Sequence, residues 1–206
     1  MPDTHLHVDT LAMRYGRRVL FRALSFEVVG GTSLAVTGAN GSGKSTLLKI
    51  LAGLVSPVRG TVRLVLDGAD VPTAQRPRRV GLAGPYLGLY DGYSARETLA
   101  FLAEARGLHD APILALLDRV GLGPRADDRV GTFSSGMQQR LRLATALLAA
   151  PPVLLLDEPG ATLDAEGRAL IRDIVAEQQA AGTLVVVATN DPAEAALCDR
   201  TVAIAA

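Results

Sequence analysis

From Gly38 to Thr46 the chain reads Gly-Ala-Asn-Gly-Ser-Gly-Lys-Ser-Thr, and no other stretch limits the possible folds as much. Gly38, Gly43, Lys44 and Ser45 fill the defining positions of a phosphate loop, with Ala39, Asn40, Gly41 and Ser42 as the turn between them and Thr46 opening a helix. The residues before it, Thr32 to Thr37, form a short apolar run of the kind found in buried strands. The residues after it place Leu47, Leu48, Ile50 and Leu51 on one side of a helix. A chance glycine-rich turn would lack both flanks. In the strand–loop–helix context the glycines let backbone N–H groups converge on phosphate oxygens, and the helix N-terminus adds a favourable dipole. Lys44 can then reach the β- and γ-phosphates of a nucleotide, and the Ser45 hydroxyl can bind Mg²⁺.

A chain of 206 residues is long enough for a well-buried core. Its 21 basic and 21 acidic residues cancel, which argues against a role in coating nucleic acid or an anionic membrane. The longest strongly apolar run without a charge, Leu143 to Leu156, is interrupted by Pro151-Pro152 and is too short to span a bilayer. The N-terminus lacks the basic-then-apolar form of a signal peptide. The single cysteine, Cys198, cannot form an internal disulfide, which suits a reducing cytoplasm. The expected location is cytoplasmic, so any membrane role needs a separate membrane partner.

Taken in order, residues from about His7 to Val29 alternate as two antiparallel strands around a turn near Gly16, with Leu6, Val8 and Thr10 on one face of the first. Tyr15, just before the turn, suits either stacking on a base or a half-buried strand end. Thr61 to Leu66 is a strand closed by an Asp67-Gly68 hairpin turn, and Val80 to Ala83 is another short buried strand. Between Gly84 and Ser94 lie Tyr86, Tyr90 and Tyr93, a loop that either packs under its own lobe or offers a docking surface. Ser94 and Glu97 form a capping box for a helix, and a second helix fits Ala111 to Val120. Ser134 is a natural N-cap for a long helix that the prolines end. Asp164 caps a helix to about Ala180, Thr183 to Ala188 is a strand, Asp191-Pro192 starts a short helix, and Thr201 to Ile204 is an edge strand.

Val153 to Leu156 followed by Asp157-Glu158 is a buried strand that delivers two carboxylates at its C-terminal end, where ligands sit in open α/β sheets. Downstream of a phosphate loop, Asp157 can hold Mg²⁺ and Glu158 can accept a proton from an attacking water. The alternative is a pair of solvated turn residues.

These motifs together resemble the ATP-binding cassette (ABC) ATPases over nearly the whole chain. Phe133 to Gln138 is similar to the family signature Leu-Ser-Gly-Gly-Gln, Leu154 to Pro159 to its second nucleotide motif, and Gly160 to Asp164 to its D-loop. The resemblance implies an α/β fold: a P-loop NTPase core with a mixed sheet, an N-terminal antiparallel β region and an inserted α-helical lobe. It implies a single domain, with residues 1–84 and 151–206 as the nucleotide core and 85–150 as a helical subdomain. It makes Tyr15 the base-stacking aromatic and places Ser134, Ser135 and Gly136 on the ATP held by a second cassette, in a homodimer or heterodimer. That use agrees with a helix N-terminus attracting an anionic phosphate. By the same resemblance the 84–94 region receives transmembrane permease subunits, ATP and Mg²⁺ are the cofactors, and the chain lies peripherally on the inner face of the membrane. The short length and the Tyr90 to Glu97 stretch resemble bacterial exporters, closest to those assigned to haem export for cytochrome c biogenesis.

Two departures stand out. The family's glutamine after the strand at 80–83 aligns with Pro85, and no Gln lies between Gln75 and Gln138. The family's histidine near the γ-phosphate is Asn190, whose amide can donate a hydrogen bond but cannot become a cation. Glu158 is intact, so ATP hydrolysis is expected. The other readings are a soluble ABC ATPase of translation or DNA repair and a non-hydrolysing switch. The first ordinarily has a second cassette or a coiled-coil insertion and is disfavoured by the neutral charge; Pro85 and Asn190 motivate the second.

Overall fold

The computed structural model describes residues 3–204. Two sheets lie on either side of one core. Strands β1 (Thr4–Tyr15), β2 (Arg18–Val29), β4 (Arg59–Leu66) and β5 (Ala69–Asp70) form an antiparallel sheet in the order β2-β1-β4-β5. Strands β3 (Ser33–Thr37), β6 (Val80–Ala83), β7 (Val153–Asp157), β8 (Leu184–Thr189) and β9 (Arg200–Ala203) form a parallel sheet in the order β6-β7-β8-β3-β9. The mixture of strand directions expected from the sequence is thus divided between two sheets.

The alternation in β1 holds through Leu6 and Val8 but not at Thr10, which is exposed. The register against β2 shifts between Val8 and Leu11, and Thr10 takes a positive φ of 45°, so an irregularity moves the inward phase to Leu11 and Met13. Across the ladder, Ala23 has a φ of 49°. These are features of three-dimensional pairing that residue alternation does not announce.

The parallel strands are apolar throughout because both of their faces are covered. In β7, Leu154 and Leu156 face a core shared with the helices, while Val153 and Leu155 face the core under the antiparallel sheet. In β8, Val185 and Val187 take the first side, and Leu184, Val186 and Ala188 take the second. Helix α1 (Lys44–Leu51) buries Leu47, Leu48, Ile50 and Leu51 between the two sheets. Helices α2 (Ala95–Ala105), α3 (Ile113–Arg119) and α4 (Ser135–Leu147) pack Leu99, Leu117, Leu141 and Leu143 together on the other side, beside α5 (Ala165–Ala180). The short α6 (Pro192–Ala195) follows β8. Helix α3 begins later than the apolar pattern indicates, after Pro112. No helix among the described residues is long and apolar enough to cross a membrane.

Helix α2 begins with a complete capping box. The Ser94 hydroxyl accepts from the Glu97 N–H at 3.1 Å, and the Glu97 carboxylate accepts from the Ser94 N–H at 2.7 Å. Hydrogen bonding to Ser94 holds the Glu97 carboxyl below its usual range. Ser94→Ala removes the acceptor at a buried helix start and is expected to cost roughly 1 kcal/mol of unfolding free energy, read as a lower urea midpoint with an unchanged m-value.

Candidate functional site

Parallel pairing brings three strand ends to one edge of the sheet. Strand β8 lies between β7 and β3, with Asp157 beside Ala188 and Thr37 beside Thr189. The phosphate loop, the Asp157-Glu158 pair and Asn190 therefore leave the sheet side by side.

The loop itself is set by close packing. Gly43, the N-cap of α1, has a φ of 108°, and a Cβ there would stand 2.9 Å from Leu20 Cβ. No side chain caps this helix, so its first N–H groups stay available to an anion. The Lys44 ammonium is buried and donates to the Gly38 carbonyl at 2.8 Å while standing 3.1 Å from a Glu158 oxygen. Glu158 holds a positive φ of 47°, its N–H donating to the Ala188 carbonyl at 2.8 Å. Such strain directly after a buried strand is a mark of a functional turn. Asn190 closes the arrangement. Its amide donates to Asn40 Oδ1 in the loop at 3.0 Å, and its backbone N–H reaches a Glu158 oxygen at 3.4 Å.

Asp157 is fully buried, and neither of its carboxylate oxygens forms a hydrogen bond of good geometry among the described residues. Burial pushes its carboxyl above the usual range, opposed first by the nearby Ser45 hydroxyl. Two orphan oxygens on a buried acid, beside a hydroxyl and a lysine, are a donor set suited to a small hard cation.

Arg18, Glu194 and Tyr86 make contacts at this edge that the motifs do not indicate, beside Tyr15, which the sequence already named. Arg18, at the start of β2, donates to the Gly41 carbonyl at 2.7 Å and ties the β1–β2 hairpin to the loop. Tyr15 pairs with Arg18 across that hairpin and is 55% exposed, which leaves its ring open beside the loop. The buried Glu194 accepts from the Gly160 N–H at 2.8 Å and holds the turn after Glu158; burial raises its carboxyl above the usual range. Tyr86 belongs to the loop read as a docking candidate, yet its side chain turns inward and its buried hydroxyl has no partner. No compositional signal separates Arg18 and Glu194 from ordinary surface or turn positions.

Ser134, Ser135 and Gly136 stand apart from the phosphate loop. Ser134 caps α4 by accepting from the Met137 N–H at 3.2 Å, and both serines are exposed. Gln139 donates to the Pro159 carbonyl at 3.2 Å, linking this helix to the turn after Glu158. Within one chain, no hydrogen bond or ion pair among the described residues joins 134–136 to the phosphate loop.

The other two tyrosines of the 84–94 loop face outward. Tyr90 is 62% exposed and Tyr93 41%, and together with Phe101 they form a cluster with ring centroids 5.6–6.2 Å apart. Beside them lies an apolar groove of about 300 Å³ lined by residues that include Leu54, Leu82, Leu89 and Leu102.

A family model described as ABC transporter matches residues 21–161. A cytochrome c biogenesis ATP-binding export protein, CcmA, of Rhodopseudomonas palustris is 34% identical, with 86% of this chain and 87% of that protein covered. A Nod factor export ATP-binding protein I of Paraburkholderia xenovorans is 35% identical over 97% of this chain and 67% of its own length. Among solved structures, an ATP-binding subunit of an ABC transporter superposes with a TM-score of 0.83 at 30% identity, covering 97% of this chain and 85% of that one.

The buried carboxylate of Asp157 destabilises the protein in the absence of a ligand. Its folded pKa is raised, so the penalty is present at neutral pH and disappears as the pH falls and the group is protonated in both states. Asp157→Asn is expected to raise the melting temperature of the nucleotide-free protein at pH 7.5, with a smaller gain at pH 5; melts at the two pH values check it.

Proposed function

The chain belongs to the ABC transporter family, as an ATPase subunit of exporter type, and from that premise we propose how its residues are used. ATP binds with its phosphates on the Gly38–Thr46 loop, Lys44 neutralises their charge, and the Tyr15 ring stacks on the base. Mg²⁺ is held by Ser45 and Asp157; when bound it neutralises charge on the terminal phosphates. Glu158 accepts the proton of the attacking water, and Asn190 donates an amide hydrogen bond toward the γ-phosphate. The observation that supports this reading most is the convergence of Lys44 and Asn190 on Glu158, the residue next to the orphan carboxylate of Asp157.

Ser134, Ser135 and Gly136 serve a second cassette. Ser134 and Ser135 are exposed and Gly136 half-buried at the N-terminus of a 13-residue helix, and among the described residues none bonds to its own chain's loop, as a site completed in trans requires. ATP-driven closure of the dimer powers transport. The Tyr90–Tyr93–Phe101 cluster and the groove beside it receive a helix of the membrane permease, since exposed aromatics beside an apolar groove suit an amphipathic helix. The chain is thereby held on the cytoplasmic face of the membrane. Haem or another component of cytochrome c biogenesis is the cargo this reading favours, on the strength of the CcmA relative; the Nod factor export relative makes a Nod factor the competing cargo.

Asn190 in place of a titratable histidine favours slow turnover. Hydrolysis is expected to exceed that of a Glu158→Gln control and to lack a titration step near the histidine pKa of about 6.5. Lys44→Ala is expected to abolish nucleotide binding. Ser134→Arg is expected to leave binding to the monomer intact while preventing ATP-dependent dimerisation, as read by light scattering with Mg·ATP; normal hydrolysis by Ser134→Arg would rule out the shared site.

A further inference from the structure

We propose that the outer face of the antiparallel sheet carries a divalent-metal site formed by His5, His7 and Glu27. Two of the chain's three histidines lie there. They are two residues apart on β1, so both point away from the core that takes Leu6 and Val8. Glu27 on β2 is directly opposite His7 in the ladder and therefore shares its face. The Nδ1 atoms of both His5 and His7 stand 3.6 Å from the same Glu27 oxygen, and one ligand atom from each residue lies within 4.8 Å of the others. A tetrahedral site with bonds of about 2.0–2.2 Å has ligand atoms roughly 3.3 Å apart, so two edges already approach that spacing.

The surroundings support the same ligand. His5 Nε2 is 2.8 Å from an Asp3 oxygen, the outer-shell contact that orients a ligating imidazole and leaves its other nitrogen for the metal. Asp3 is itself fixed: its N–H donates to an Asp67 carboxylate oxygen at 3.0 Å, and its carbonyl accepts from the Asp67 N–H at 2.8 Å. Two cations lie near: Arg63, opposite His7 on β4, is bound to Asp70 at 3.0 Å, and Arg200 donates to the Glu27 backbone carbonyl at 3.0 Å, so neither is paired with the Glu27 carboxylate among the described residues. Two imidazoles and one carboxylate suit Zn²⁺ or another late first-row ion, with the fourth position open to water. Nothing in the nucleotide reading uses this face.

The test is a Zn²⁺ titration of the tag-free, chelator-treated chain by calorimetry, with folding of each variant checked by circular dichroism. One Zn²⁺ per chain is expected. His7→Ala and Glu27→Ala should each weaken binding at least tenfold, and Asp3→Asn about tenfold. Asp173→Asn, at an exposed acid on α5, should retain it. Absence of stoichiometric binding, or binding that survives in a His5→Ala/His7→Ala double variant, overturns the site.

The buried hydroxyl of Tyr86 independently points to a positioning role at the nucleotide edge, an inference that rests on the reading above. The ring lies against Gly84, where a Cβ would meet its Cε1 at 2.9 Å and Asp157 Cβ at 3.1 Å, so tyrosine and aspartate press on the same point. Lys49 Nζ sits 3.8 Å from the ring centroid and holds it by a cation–π contact. The Tyr86 hydroxyl and both Asp157 oxygens are buried and form no hydrogen bond of good geometry among the described residues, while Ser45, Lys44 and Lys49 lie near enough to act on Asp157; a cation held by Ser45 and Asp157 would add the missing partner.

Tyr86→Phe keeps the ring and removes only the orphan hydroxyl. It is expected to raise the melting temperature of the nucleotide-free protein while reducing the Mg²⁺-dependent gain in affinity for a non-hydrolysable ATP analogue by about tenfold. If wild-type and variant gain equally from Mg²⁺, the role of Tyr86 is wrong and the nucleotide site stands. If the wild-type chain does not bind the analogue, both fall.

Discussion

Everything at the functional edge depends on the parallel ladder in which β8 is held between β7 and β3. Parallel strands end on the same side, and the register decides which residues leave the sheet together. Here it sets Asp157 beside Ala188 and Thr37 beside Thr189, so a phosphate loop, an acidic pair and an asparagine from distant parts of the sequence become neighbours. The ladder is rigid because both faces are buried, with alternate residues of β7 and β8 committed to different cores. A slip of one residue would exchange the two sets and carry Asp157 away from Lys44.

Against that frame the nucleotide-free edge is electrostatically unfinished. Lys44 divides its ammonium between the Gly38 carbonyl and Glu158, partners that an entering phosphate would displace. Asp157 bears a buried carboxylate with no hydrogen bond of good geometry among the described residues, and Glu158 is held in a strained backbone conformation. Features of this kind reduce the stability of the empty fold and are offset when a ligand completes them. Asn40, Glu158 and Asn190 form a short bridge across the same opening, so the residue in the histidine position is tied to the loop even before any nucleotide enters.

The remaining surfaces separate by chemistry. Exposed aromatics gather at Tyr90, Tyr93 and Phe101 beside an apolar groove, exposed serines at the N-terminus of α4, and imidazoles with carboxylates on the outer face of the antiparallel sheet. Tyr86 stands between the first of these and the nucleotide edge, because its ring packs inward while its neighbours in the loop face out.

Much of this was legible in the residues. The phosphate loop, the capping box at Ser94, the N-caps at Ser134 and Asp164, and the apolar runs of β3, β7 and β8 are local signals, and each stands where its pattern places it. Local signals end where long-range pairing begins. The irregularity that exposes Thr10 comes from two strands and a third pairing at once, and the contacts of Arg18 with Gly41 and of Glu194 with Gly160 join positions 23 and 34 residues apart. By itself the sequence determined the family, the place of the glycine-rich loop between strand and helix, and the element order, because these follow from residue type and short spacing. Only the tertiary structure decided that Tyr86 faces Asp157 rather than solvent, that Asn190 reaches Asn40, and that His5, His7 and Glu27 share one face. Those proximities are set by register and packing across the chain, and no spacing within a segment encodes them.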